Sequence, residues 1–200
     1  MKQEVGFVGY ECEDIVFYLA RMLSFLGKTT AVLDRTEHRS VIGICGNAGK
    51  SANILISESL DEILESECSV ILKEFGYQQL WEEIQECKDV FLVTDGSSFW
   101  TKLLAKVQIG YKSCHMIIRD MVSMNYSEKY LIFLSEQNIG ECFLLFLDKS
   151  DTKNRYSLGI EKNTPLRYLS EDMKELLQEL VLRIDMSINQ KQLYVAQKKA

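Results

Sequence analysis

The spacing of apolar residues along this chain alternates between two periods. Val5-Gly6-Phe7-Val8-Gly9 is a short apolar run that ends at glycine, the pattern of a buried strand entering a turn. From Asp14 onward Ile15, Phe17-Tyr18-Leu19, Met22-Leu23 and Phe25-Leu26 recur at helical spacing, and Gly27 supplies the stop. Thr30-Ala31-Val32-Leu33 then predicts a second strand that ends in Asp34. Strand, helix and strand within about thirty residues make a βαβ unit, which requires a parallel pair and a right-handed crossover.

The alternation continues. Residues 41–45 read as a strand, and 54–56 as a strand or as the start of a helix through Leu64. Strands are predicted at 69–72, 90–94, 116–118 and 142–147, with an edge strand at 155–161. Helices are predicted at 77–87, 99–107 and 126–137. Ser170-Glu171-Asp172 caps a final helix to Ile184, whose buried stripe is Met173, Leu176, Leu177, Leu180, Val181 and Ile184. Residues 189–200, with Lys191, Lys198 and Lys199, read as a C-terminal tail that frays. The expectation is a single α/β domain over residues 1–188, with a doubly wound, mostly parallel sheet flanked by helices. Such folds place ligands outside the carboxyl ends of their strands. The search therefore falls on residues 9–14, 34–38, 95–99 and 119–125.

Composition narrows the function classes. Of 200 residues, 46% are hydrophobic and 26% charged, and Pro165 is the single proline, which fits one folded domain. The formal net charge of −6 argues against a nucleic-acid binder that works through a basic field. No apolar run approaches the ~20 residues of a spanning helix. The start Met1-Lys2-Gln3-Glu4 lacks the apolar stretch of a signal peptide. A cytoplasmic protein without direct membrane insertion is expected. In that compartment the six cysteines stay reduced. No pair has CxxC spacing, so a zinc site has little support and most of the cysteines, Cys12 excepted, read as core fillers.

Two segments imitate a phosphate-binding loop. Gly27-Lys28-Thr29-Thr30 has the right ending, but it lies between a helix and a strand, the reverse of the required order. Gly46-Asn47-Ala48-Gly49-Lys50-Ser51 follows an apolar run, yet Ile44 stands where the first glycine belongs. This second segment reads as a glycine-rich turn, with a nucleotide site at Gly46, Gly49, Lys50 and Ser51 as the alternative. The place where a βαβ nucleotide fold carries its loop holds Gly9-Tyr10-Glu11-Cys12-Glu13-Asp14 instead. Three carboxylates without a lysine repel a polyphosphate. They suit the positive end of the first helix, so capping is their bland account and a held metal or cationic group the functional one. Of the two histidines, His38 falls in a charged loop. His115 follows Cys114 on a strand, so the two side chains face opposite ways and form no Cys/His pair.

Val5-Gly6-Phe7-Val8-Gly9, then Tyr18-Leu19-Ala20-Arg21-Met22-Leu23-Ser24-Phe25-Leu26-Gly27-Lys28, then Ala31-Val32-Leu33-Asp34, resembles the opening of ParA/MinD-type P-loop ATPases. Lys88-Asp89-Val90-Phe91-Leu92-Val93-Thr94-Asp95 is similar to the later family strand that ends in an Asp of Walker B type. The Walker A glycines and lysines are missing from residues 9–14, and only Asp34 and Asp95 match the family's functional positions. The resemblance implies a P-loop NTPase-like three-layer sandwich in a degenerate relative that has lost hydrolysis, with no catalytic residue and no cofactor. Such relatives, including the CpaE-like proteins of Tad-type pilus systems, act as scaffold, localisation or assembly subunits. The implied partner is a protein: a second copy in a dimer, or an assembly ATPase of a pilus or secretion system. Two alternatives stay open. One is an active ATPase using residues 46–51. The other is a signal-receiving domain whose acidic metal pocket is built from Glu11, Asp14, Asp34 and Asp95.

Overall fold

Among the described residues, seven apolar runs become the strands of one sheet: β1 (Gln3–Gly9), β2 (Thr30–Arg35), β3 (Ile54–Ser57), β4 (Val70–Phe75), β5 (Asp89–Thr94), β6 (Cys114–Met121) and β7 (Cys142–Phe146). The computed structural model describes residues 2–9, 12–39, 41–42, 54–75, 84, 86–94, 114–121, 142–146, 166 and 169–199. Among the described residues the sheet is accompanied by the helices α1 (Glu13–Phe25), α2 (Leu60–Glu65), α3 (Glu171–Ile184) and α4 (Gln190–Lys199). The strand order is β3-β2-β4-β1-β5-β6-β7, and every neighbouring pair is parallel. The chain leaves β1 toward β2 and β3, returns to β4, then crosses β1 to build β5, β6 and β7 on the other side. The direction of winding thus reverses at β1, which makes its carboxyl end the switch point of a doubly wound α/β fold.

Alternation along the strands assigns the two faces. Val5, Phe7, Val32, Leu72, Phe91, Val93 and Ile117 lie on one face and pack with the apolar stripes of α1, α3 and α4. Ala31, Leu33 and Ile71 lie on the other, against Ile63 of α2 and Cys68. Helices on both faces give three layers. The predicted α3 stripe is buried at all six positions. Ser170 caps that helix by accepting the Met173 N–H at 3.3 Å. Gly27 ends α1 with φ +84, and the N–H groups of Gly27 and Lys28 return to the carbonyls of Ser24 and Leu23, a Schellman closure.

The structure departs from the sequence reading at several described places. Val41 and Ile42, read as part of a strand, are helical. Val41 is fully buried, and the Ile42 N–H donates to Asp34 at 2.9 Å, so packing and an acceptor for a helix-start donor override the β-branched propensity. Residues 190–199, read as a fraying tail, form α4, with Leu193 and Ala196 in the core. Asn189 and Gln192 cap each other reciprocally, backbone to side chain, at 2.9 and 3.0 Å. The helices predicted at 99–107 and 126–137 and the strand at 155–161 lie outside the described residues; of the helix predicted at 77–87, Ile84 is helical, Glu86 and Cys87 are a turn and an irregular residue rather than helix, and the rest lies outside the described residues.

One surface pair ties α1 to the α3–α4 corner. Lys28 pairs with Asp185, which also accepts the N–H and hydroxyl of Ser187 at 2.9 and 2.6 Å. The Lys28 ammonium, then Ser187, holds the Asp185 carboxyl down at about 2. A lowered carboxylate pKa gives stability that is present above the ordinary value of 3.8 and lost as pH falls toward 2. The pair is solvent-accessible, so its worth is about 0.5 kcal/mol. Lys28→Ala is expected to lower the urea midpoint slightly at pH 7 and to leave it unchanged relative to the parent at pH 2, which parallel denaturation series will measure.

Candidate functional site at the carboxyl end of the central strand

β1 leaves the sheet at Gly9, whose φ of +130 is a conformation open to glycine. A Cβ there would lie 2.1 Å from the Val93 carbonyl oxygen, so the backbones of β1 and β5 touch where the chain turns toward α1. The helix starts at Cys12, which offers no side-chain cap, and its first turn carries Glu13 and Asp14. Asp14 Oδ1 accepts the Ile15 N–H at 2.7 Å, so the carboxylate takes a donor that the helix itself leaves open. The same carboxylate receives both arms of a guanidinium. Arg119 donates from Nη1 to Oδ1 at 2.9 Å and from Nη2 to Oδ2 at 2.8 Å. Arg119 comes from the carboxyl end of β6 and is completely buried, and Asp14 is 7% exposed. A bidentate pair of this kind is strong, fixed in geometry and removed from solvent screening.

Three further groups complete the cluster. Glu74 at the end of β4 is buried and stands in register with Phe7 of β1 and Asp34 of β2. Burial raises the Cys12 thiol well above its ordinary range, and the Glu74 and Glu13 carboxylates raise it further, while Arg119 pulls the other way. A thiol held protonated in this way is a poor nucleophile. Asp34 is equally buried and turns inward on its own loop. Its Oδ1 accepts the Thr36 N–H at 3.1 Å and hydroxyl at 2.6 Å, and its Oδ2 accepts the Ile42 N–H. The resulting Asx turn organises the segment after β2.

Of the four carboxylates grouped as a metal pocket, Asp14 is committed to Arg119 and Asp34 to Thr36 and Ile42. Glu11 and Asp95 lie outside the described residues, as do Gly46, Gly49, Lys50 and Ser51. No cluster of three potential metal ligands occurs among the described residues. The sequence search covered this pole of the sheet and included Arg119, but it gave no role to Arg119 or Glu74. The available signal was a charged residue directly following an apolar strand, Met116-Ile117-Ile118-Arg119 and Ile71-Leu72-Lys73-Glu74.

The histidines behave as the alternation requires. His38 is exposed in a turn. His115 stacks on Phe91 at 5.1 Å, and its Nε2 lies 3.1 Å from Arg183 of α3 and 3.4 Å from Asp89. A guanidinium only donates, so Nε2 accepts there. Cys114 points to the opposite face, where burial pushes its thiol up to about 11. Cys12, Cys68, Cys87 and Cys114 are free thiols.

These features define a doubly wound α/β protein in which the first turn of the central helix is occupied by the chain's own carboxylate, clamped by a buried arginine. The sequence matches no protein-family model and no curated protein. No helix among the described residues is long and apolar enough to cross a membrane.

Proposed function

We propose that this chain is a non-catalytic, ParA/MinD-like protein that serves as a scaffold or as a localisation or assembly subunit, recognising a protein partner or a second copy of itself in the cytoplasm. The observation that supports this reading is the Asp14–Arg119 pair. In a doubly wound fold the N-terminus of the helix after the central strand is the natural seat of a phosphate. Here an internal anion takes the helix's positive end, and the buried Arg119 guanidinium is paired with it. A phosphate at this helix would displace Asp14 and leave it buried beside a second negative group, with Glu74 and Glu13 adding to the repulsion. The buried, protonated thiol of Cys12 adds no nucleophile.

The test is calorimetric titration of the full chain with Mg-ATP. No saturable binding up to about 1 mM is the expected result. Micromolar affinity overturns the proposal. If Lys50→Ala then removes that affinity, the activity passes to the loop at residues 46–51. A shift of the melting temperature on addition of Mg²⁺ alone would instead favour the metal-holding alternative.

A further inference from the structure

We propose that the outer face of the α3–α4 pair is a self-complementary interface that binds a second copy of this chain, with α4 of each copy lying on α3 of the other. This names the surface that takes the second copy, and it rests on the reading above only in taking the partner to be a protein. It uses none of the residues at the carboxyl end of β1.

α3 and α4 are held side by side. The Gln197 side chain near the end of α4 donates to the Lys174 carbonyl near the start of α3 at 3.1 Å, so the two helices run antiparallel. Both bury apolar residues in the same core, Leu176, Leu177 and Leu180 from α3 and Leu193 and Ala196 from α4. Their opposite sides face solvent together. On α4 that side carries Lys191, Tyr194, Val195 and Lys198, the i, i+3, i+4, i+7 spacing of one helix face. Tyr194 is 56% exposed and Val195 40%, two large apolar groups that the fold leaves uncovered. The Lys198 ammonium lies over the Tyr194 ring, 4.3 Å from its centre. Residues 186–200 contain three lysines and no acidic residue, on a chain of net charge −6.

On α3 the exposed side carries Glu171, Glu175 and Glu179, about one turn apart. Lys174 takes Glu171 at 2.6 Å, whereas among the described residues Glu175 and Glu179 pair with no cation, and Lys191 and Lys198 with no carboxylate. The fold thus sets a basic and apolar ridge beside an acidic one without joining them. Their spacings match. At a rise of 1.5 Å per residue, Lys191 and Lys198 stand roughly 10.5 Å apart along α4, and Glu171 and Glu179 roughly 12 Å apart along α3. A two-fold axis between two copies lays each lysine pair along the other copy's glutamates and makes both contacts at once, because the same patch serves on each side. Tyr194 and Val195 then fill the space between the charges, as apolar anchors do within a polar rim. An anionic lipid surface suits the lysines but meets the glutamate ridge of the same face with like charge, and a uniformly acidic protein has the same fault. A second copy presents both signs in the reciprocal order. Exposed ion pairs are weak one by one, so the dimer depends on concentration and salt.

Sedimentation equilibrium of the full chain tests the assignment. In about 50 mM salt a monomer–dimer equilibrium with a dissociation constant below about 200 μM is expected, weakened at least about fivefold in about 0.5 M salt. Two charge reversals, Lys191→Glu with Lys198→Glu and Glu175→Lys with Glu179→Lys, alter only exposed side chains. Each double variant alone should be monomeric at the same concentrations, with an unchanged circular-dichroism spectrum. Mixed in equal amounts, the two should form a heterodimer, because the acidic α4 of one meets the basic α3 of the other in both contacts. A parent chain that stays monomeric to about 1 mM, a dimer that survives either reversal, or a mixture that gives no heterodimer would each overturn the assignment. So would capture of the monomer by phosphatidylserine vesicles that is lost in Lys191→Glu with Lys198→Glu, which would give the face to a membrane. None of these outcomes alters the Mg-ATP titration, so this assignment and the non-catalytic reading fail separately.

Discussion

Replacing Arg119 with methionine is expected to cost about 3–5 kcal/mol of folding stability, most of what a domain of this size holds in reserve. The substitution keeps the bulk of the side chain and removes its charge. Asp14 then loses its bidentate cation while still buried beside Glu74 and the Cys12 thiol, with little solvent to relieve it. The loss is therefore the penalty of a stranded charge rather than the net worth of the pair. A double variant, Asp14→Leu with Arg119→Met, separates the two. With neither member of the pair left to desolvate, it should recover much of the stability, short by about 1 kcal/mol for the Ile15 N–H that Asp14 accepts and by the loss of a cation near the buried Glu74. Urea unfolding of both variants measures this as a midpoint shift at constant slope. A single-variant loss under about 1 kcal/mol would mean that the pair is not buried in solution.

The pair also bears on specificity. An ion pair enclosed between α1 and β6 contributes little net stability over a hydrophobic pair of the same volume. Its geometry does constrain which residues meet. Arg119 admits a planar carboxylate in a fixed fork, so the register of β6 against α1 is set at one end of the sheet. At the other end Arg183 of α3 reaches His115 of the same strand. β6 is thus positioned against α1 at its carboxyl end and against α3 near its start, each time through an arginine.

Much of this was legible from local sequence, because the relevant forces are local or periodic. The α3 stripe, the glycine that closes α1 and the strands around β1, β2 and β5 follow from apolar period and turn chemistry. The segment at 41–42 failed because β-branched residues predict strand only when a sheet neighbour exists, and Val41 instead meets the core beside α1. The tail failed because α4 is polar on average and its cue is four residues long, Asn189-Gln190-Lys191-Gln192, a capping box without the usual serine. The acidic turn was recognised as a group, but its partner was hidden. Asp14 and Arg119 stand 105 residues apart, and nothing in one strand-end arginine marks it as inward-facing until the sheet order is known.

Gly9→Ala is expected to destabilise the protein by at least about 3 kcal/mol, while Gly27→Ala costs only about 1 kcal/mol. Both glycines have positive φ, +130 and +84, so both substitutions bear a conformational penalty. They differ in what the added methyl meets. At Gly27 no atom lies within 4 Å, and at Gly9 the Val93 carbonyl oxygen lies at 2.1 Å. That neighbour is sheet backbone, fixed by pairing on both sides to β1 and β6, so it cannot move aside as a flexible side chain would. The strand end must move instead, and Cys12 and Asp14 move with it, away from Arg119. Gly9→Ala should therefore be less than additive with Arg119→Met, since each variant disrupts the same cluster. Equal costs for the two glycine variants, or strict additivity with Arg119→Met, would show that the close approach of β1 to β5 does not position the start of α1.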